Sequence, residues 1–144
     1  MLSNQLYLDF GNQGGQQQSN HIPIIIIPGS VLAGNLAISN SKQFLQDGAY
    51  QVLNPNQQNI GANKERVVVE HKLSGSGGEK VFFEVHDSVT SFSDQQWKRV
   101  VAVFVNGHLW QFKDWQEKMT TDKATAGQDF VELFLRVRGY FLHF

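Results

Sequence analysis

Six consecutive apolar residues, Val100, Val101, Ala102, Val103, Phe104 and Val105, run between Lys98-Arg99 and Asn106-Gly107. A strand with one wetted face alternates apolar and polar residues. A run this continuous and β-branched instead predicts a strand buried on both faces. Asn106-Gly107 predicts the turn that ends it. Ile22–Ile27, flanked by Pro23 and Pro28, is a second such run. Two doubly buried strands require a sheet covered by helices on both sides. The chain has 144 residues, of which 41% are hydrophobic, enough for one domain with one core.

Met1–His21 is dominated by Gln, Asn, Gly and Ser and reads as a flexible tail, with Leu6, Tyr7, Leu8 and Phe10 its one apolar patch. The folded part is expected over 22–144. After the first strand, Asn40 is placed to cap a short helix over Ser41–Gln46, which Gly48 stops. Gln51–Lys64 repeats Asn, Gln, Pro and Gly and predicts a loop. Arg66–Leu73 and Lys80–His86 predict two strands joined by the glycine-rich Ser74–Gly78. Matching their apolar faces sets Val69 opposite Val85, Leu73 opposite Val81 and Glu70 opposite Glu84, the last unfavourable. His71 falls on the apolar face of its strand, where a hydrogen-bonded core histidine is expected. Ser93-Asp94-Gln95-Gln96 predicts a capping box opening a short helix into Trp97. Phe130, Phe134, Val137 and Phe141 stand near helical spacing and predict a final helix, weakened by Gly139. The resulting order is strand, helix, two antiparallel strands, helix, strand, helix, an α/β layered mixed sheet.

Four segments carry a resemblance. RVVAVFVNGHLWQFKDW at Arg99–Trp115, PIIIIP at Pro23–Pro28, FLQDGAY at Phe44–Tyr50 and, more loosely, VELFLRVRGYFLHF at Val131–Phe144 occur in the order found in one family. The chain resembles the C-terminal domain of the parafibromin family, subunits of the RNA polymerase II-associated factor complex. The resemblance implies a Ras-like fold, with Ile22–Ile27 and Val100–Val105 side by side and parallel and the hairpin toward one edge. That family's domain continues past the final helix with another apolar strand and a long helix. The chain is therefore expected to be C-terminally incomplete, leaving Val100–Val105 as an open sheet edge. The resemblance further implies a nuclear, non-catalytic interaction module of transcription elongation. Its partners would be the other subunits of the complex, the phosphorylated polymerase tail and a phosphorylated elongation factor. Through them it would support histone modification in chromatin.

A Ras-like order raises the question of a nucleotide site. A P-loop needs glycines around the phosphates, a Lys for the outer phosphates and Ser or Thr for magnesium. Gly29 and Gly34 have the spacing, but Asn35 stands where Lys is required and Leu36 where Ser or Thr is required. Thr90 occupies the place of the glycine in the GTPase magnesium-side motif. No nucleotide, metal or other cofactor is expected, and a small GTPase-like enzyme is the alternative reading. Nothing resembles a nucleophile elbow, and His21, His71, His86, His108 and His143 lack metal-ligand spacing. There is no cysteine and the formal net charge is −1, which gives no overall basic field for nucleic acid or an anionic membrane. A direct nucleic-acid binder is a third reading, which would show steep salt dependence. No apolar run approaches the ~20 residues of a membrane span.

The candidate partner-binding residues are Lys98, Arg99, Trp110, Lys113 and Trp115. They place phosphate-capable cations beside rings able to hold proline or tyrosine. Lys98 and Lys113 flank opposite ends of Val100–Val105, about 20 Å apart at ~3.3 Å per residue. An extended peptide spans that distance and a single phosphate does not. Arg66 and Lys72 are the next cations to consider.

Overall fold

The computed structural model describes residues 22–28, 36–53, 66–75, 77–107, 109–112, 115 and 134–142, with only the backbone of Leu109 and Trp110. The expected N-terminal tail, the Gly29–Asn35 segment, most of the Gln51–Lys64 loop and Lys113 lie outside the described residues.

Five strands form one mixed sheet: β1 (Ile24–Ile26), β2 (Arg66–Lys72), β3 (Lys80–His86), β4 (Val100–Val105) and β5 (Arg138–Phe141), in the order β2-β3-β1-β4-β5. β1 is parallel to both β3 and β4, and β2 and β3 form the antiparallel hairpin at one edge. The expected pairing of the first strand with Val100–Val105 is therefore present.

Two helices cover opposite faces. α1 (Ile38–Asp47) packs Ile38, Phe44 and Leu45 against Ile27, Leu36, Val69, Val85 and Phe104. α2 (Asp94–Arg99) packs Trp97 with Ile24, Ile26, Val100 and Val103. Alternation along β1 explains the division, since Ile24 and Ile26 face α2 while Ile25 and Ile27 face α1. On the α2 side, aromatic edge contacts run from His86 to Phe92 (5.0 Å between centroids), Trp97, Trp115 and Phe112. That layer is a packed core.

α2 begins as its capping box dictates. Ser93 Oγ accepts from the Gln96 N–H, and Gln96 Oε1 accepts from the Ser93 N–H at 2.9 Å. α1 starts earlier than the sequence suggests. Ala37 is its N-cap, and Asn40 sits one turn inside, where Oδ1 accepts from the Ala37 N–H and Nδ2 donates to the Gln51 carbonyl. An Asn side chain that reaches back to the entering backbone does a cap's work from within the helix. Gly48 ends α1 at φ 68°, the left-handed conformation that glycine adopts without strain.

Three further expectations are corrected. The hairpin register is shifted by two positions, with Val67 opposite Val85 and Val69 opposite Phe83. A two-residue slip leaves each side chain on its face, so the apolar pattern could not distinguish the registers. Charge does distinguish them: Glu70 now lies opposite Phe82 and pairs with Lys80 at 2.9 Å, away from Glu84. His71 is exposed, one residue from the hairpin end of β2. The stretch expected to be one helix over 130–141 is helical at 134–136 and then becomes β5. β5 pairs in parallel with β4, Ala102 with Arg138 through Val105 with Phe141. β5 therefore occupies the outer flank of β4, and Val100–Val105 is no open edge.

Candidate functional site

β3 carries a carboxylate among apolar neighbours, Phe82-Phe83-Glu84-Val85. Strand alternation sends Val85 to the α1 side and Glu84 and His86 to the α2 side. There Glu84 is only 2% exposed. A charge so deeply buried must be paired and hydrogen-bonded to persist. Three partners converge on it. Arg66 Nη1 donates to Oε1 at 3.2 Å, His86 Nε2 lies 3.1 Å from Oε2, and Arg99 Nη2 approaches Oε2 at 3.6 Å. An ionised carboxylate only accepts, so a hydrogen bond between the two requires a proton on His86 Nε2. Arg99 Nη1 also donates to the Ile22 carbonyl at 2.8 Å.

The hairpin register brings Arg66 here, because pairing Val68 with Glu84 places Arg66 diagonally across from the carboxylate. The α2–β4 junction brings Arg99. Two guanidinium groups thus converge on one carboxylate, and Lys98, next to Arg99 in sequence, is exposed on α2. Arg66 keeps 57% of its side chain exposed, so part of its guanidinium faces solvent. The cluster can hold an anionic group at the surface. It has no nucleophile, and no group of three acidic, histidine or cysteine side chains that could hold a metal occurs among the described residues.

The candidate residues from the sequence separate in space. Lys98 is exposed on α2, and Arg99 is half-buried with its guanidinium committed to Glu84 and Ile22. Trp115 is 4% exposed and enclosed by Trp97 and Phe112. Trp110 belongs to a 3-10 turn (Leu109–Phe112) beyond the opposite end of β4. Sequence reasoning missed Glu84 and His86. The available signal was a lone Glu in an otherwise apolar strand stretch, which demands a buried partner. Leu36, at the position a P-loop gives to Ser or Thr, is 1% exposed and packs with Ile27, Val69, Val85 and Phe104.

Comparison with known proteins identifies the family. The family model described as RNA pol II accessory factor, Cdc73 family, C-terminal, matches residues 19–144. The chain belongs to the Cdc73 family. It is 35% identical over 125 residues to the CDC73 homolog of Arabidopsis thaliana, covering 85% of this chain and 28% of that protein. To cell division control protein 73 of Saccharomyces cerevisiae it is 33% identical over 135 residues, covering 93% of this chain and 30% of that protein. The chain thus spans less than a third of these relatives. Among solved structures, the conserved domain of yeast Cdc73 matches with a TM-score of 0.62 at 32% identity, over 84% of this chain and 68% of that one. Within the Cdc73 family, then, this chain corresponds to the C-terminal region, and its mixed α/β sheet is that region's fold.

Proposed function

We propose that this chain is a non-catalytic interaction module of the RNA polymerase II-associated factor complex, acting in the nucleus during transcription elongation. It links the complex to the phosphorylated polymerase tail and a phosphorylated elongation factor, and through them supports histone modification in chromatin. The sheet order fits a Ras-like fold whose nucleotide site has lost its function.

The observation that carries this reading is the pair of arginines held on Glu84, one of them more than half exposed. A guanidinium already oriented by a buried carboxylate offers its remaining donors to phosphate at reduced entropic cost. Arg66 and Lys98 are the phosphate-contacting residues, and Arg99 positions the group through Glu84. Trp110 and Lys113, which follow β4 in the sequence, are the proposed second contact for a longer peptide.

The test compares phosphorylated and unmodified polymerase-tail repeats on wild type and on Lys98→Glu and Arg66→Glu variants, at two salt concentrations. Wild type should prefer the phosphorylated repeats, and each variant should weaken that preference about tenfold, the effect of losing one charged contact. Equal affinity for both peptides would reject the reading.

A further inference from the structure

β2 is the longer of the two edge strands, with no strand paired on its outer flank among the described residues. The hairpin register fixes which of its groups face outward. Glu70 N–H points away from β3, since Gln46 Oε1 accepts from it at 3.2 Å. In an antiparallel ladder, alternate residues bond the same neighbour, so Arg66, Val68 and Lys72 also turn their peptide groups outward while Val67, Val69 and His71 bond β3. The side chains of this outward set share the α2 face. Val68 is 42% exposed there, between Arg66 and Lys72, and Glu70 is neutralised by Lys80. One strand thus presents outward backbone groups, one of them held by the Gln46 side chain that an incoming strand displaces, and on one face Arg66, Val68, Glu70 and Lys72.

We propose that β2 receives a phosphorylated peptide segment of a partner protein as a sixth strand, with phosphates at Arg66 and Lys72. Backbone pairing supplies affinity and the alternate side chains supply selectivity. The proposal rests on the phosphopeptide reading above and specifies how that ligand is held. Charge complementarity selects an acidic strand over an apolar one, because an apolar strand would meet neither the Lys72 ammonium nor the donors that Arg66 keeps beyond its bond to Glu84. Strand parity makes a sharp demand. Arg66 and Lys72 are six residues apart on one face, so two phosphates must also be six residues apart, about 20 Å at ~3.3 Å per residue. Five residues apart, the second phosphate points to the opposite face.

The probes are two designed extended peptides carrying phosphoserines six or five residues apart, titrated against the full 144-residue chain. A second arm uses Val68→Pro, which removes an outward N–H and blocks a sixth strand while sparing the bonds to β3. The six-spaced peptide should bind about tenfold tighter than the five-spaced one, and Val68→Pro should remove that difference, as expected on losing one or two backbone bonds and one charged contact. Should Val68→Pro fail to fold, the spacing comparison on wild type decides alone. Equal binding of the two spacings, or full binding by folded Val68→Pro, overturns the strand addition. If polymerase-tail phosphopeptides still bind in that case, the phosphopeptide reading survives. If no phosphopeptide binds wild type, both fall.

Discussion

Arg99 Nη1 donates to the carbonyl oxygen of Ile22 at 2.8 Å, joining the end of α2 to the entry of β1. Its other terminal nitrogen faces Glu84, so one guanidinium holds β1, β3 and β4 together at the end of the sheet where β1 begins. Arg66 meets the same carboxylate from the surface. The two arginines should therefore differ in energetic weight. Arg99→Met should cost about 2–4 kcal/mol, because it takes the guanidinium donor from the Ile22 carbonyl and leaves the buried Glu84 with Arg66 and His86. Arg66→Met should cost under about 1 kcal/mol, because its charge is screened by water. Urea denaturation midpoints of the two variants measure the contrast, and equal costs would mean that Glu84 does not need Arg99.

Val103 is fully buried between the two helical layers, in a strand with neighbours on both sides. Val103→Asp places an unpaired carboxylate there at a cost of several kcal/mol, on the order of the whole stability margin. The variant should be unfolded by circular dichroism. A melting temperature within a few degrees of wild type would contradict the burial.

Gly139 opposes Val103 in β5, and a Cβ built on it would come within 2.8 Å of the Phe134 ring. Phe134 is itself half-exposed and able to swing outward, but only by giving up its edge contact with Phe112. Gly139→Ala should therefore cost about 1 kcal/mol, mostly the lost aromatic contact. A melting temperature lowered by a few degrees, with altered Phe112 ring resonances, is the expected result. Unchanged resonances would mean that the ring does not limit this position.

Leu36 is committed to the α1-side core, so no side chain there can reach a magnesium ion, and Asn35 lacks the charge of a phosphate-binding lysine. GTP, GDP and ATP should not bind at physiological magnesium. Titration with a fluorescent guanine nucleotide checks this, and micromolar affinity would restore the GTPase reading.

The sequence made the inner sheet legible and left its right-hand edge obscure. Lys80–His86 and Val100–Val105 form strands where their patterns place them, because apolar or alternating runs between turn residues leave little choice. β5 was hidden for the opposite reason. Phe134 and Val137 continue a helical spacing into Arg138–Phe141, four exposed residues with no inward face to reveal a period of two. Gly139 is the signal, a residue that weakens a helix and here belongs to a strand packed beneath a phenylalanine ring. The ion cluster was less legible still. Its members come from β2, β3 and the end of α2, and the hairpin register that unites Arg66 with Glu84 is one that apolar matching alone could not choose.

β1 is three residues long, yet it occupies the middle of the sheet, between strands that the ribosome makes much later. Ile24 has to wait for Glu84 and then for Val100 before either flank has a partner. The β2–β3 hairpin closes on itself by local contacts, but insertion of β1 carries the loop-closure entropy of most of the chain. Refolding should thus end, rather than begin, at Ile24–Ile26, with their amides the last in the sheet to gain protection from exchange in a pulse-labelling experiment. Until that step the nascent protein is two half-sheets, each with a bare inner margin, and the early-made isoleucines are what a chaperone would need to shield.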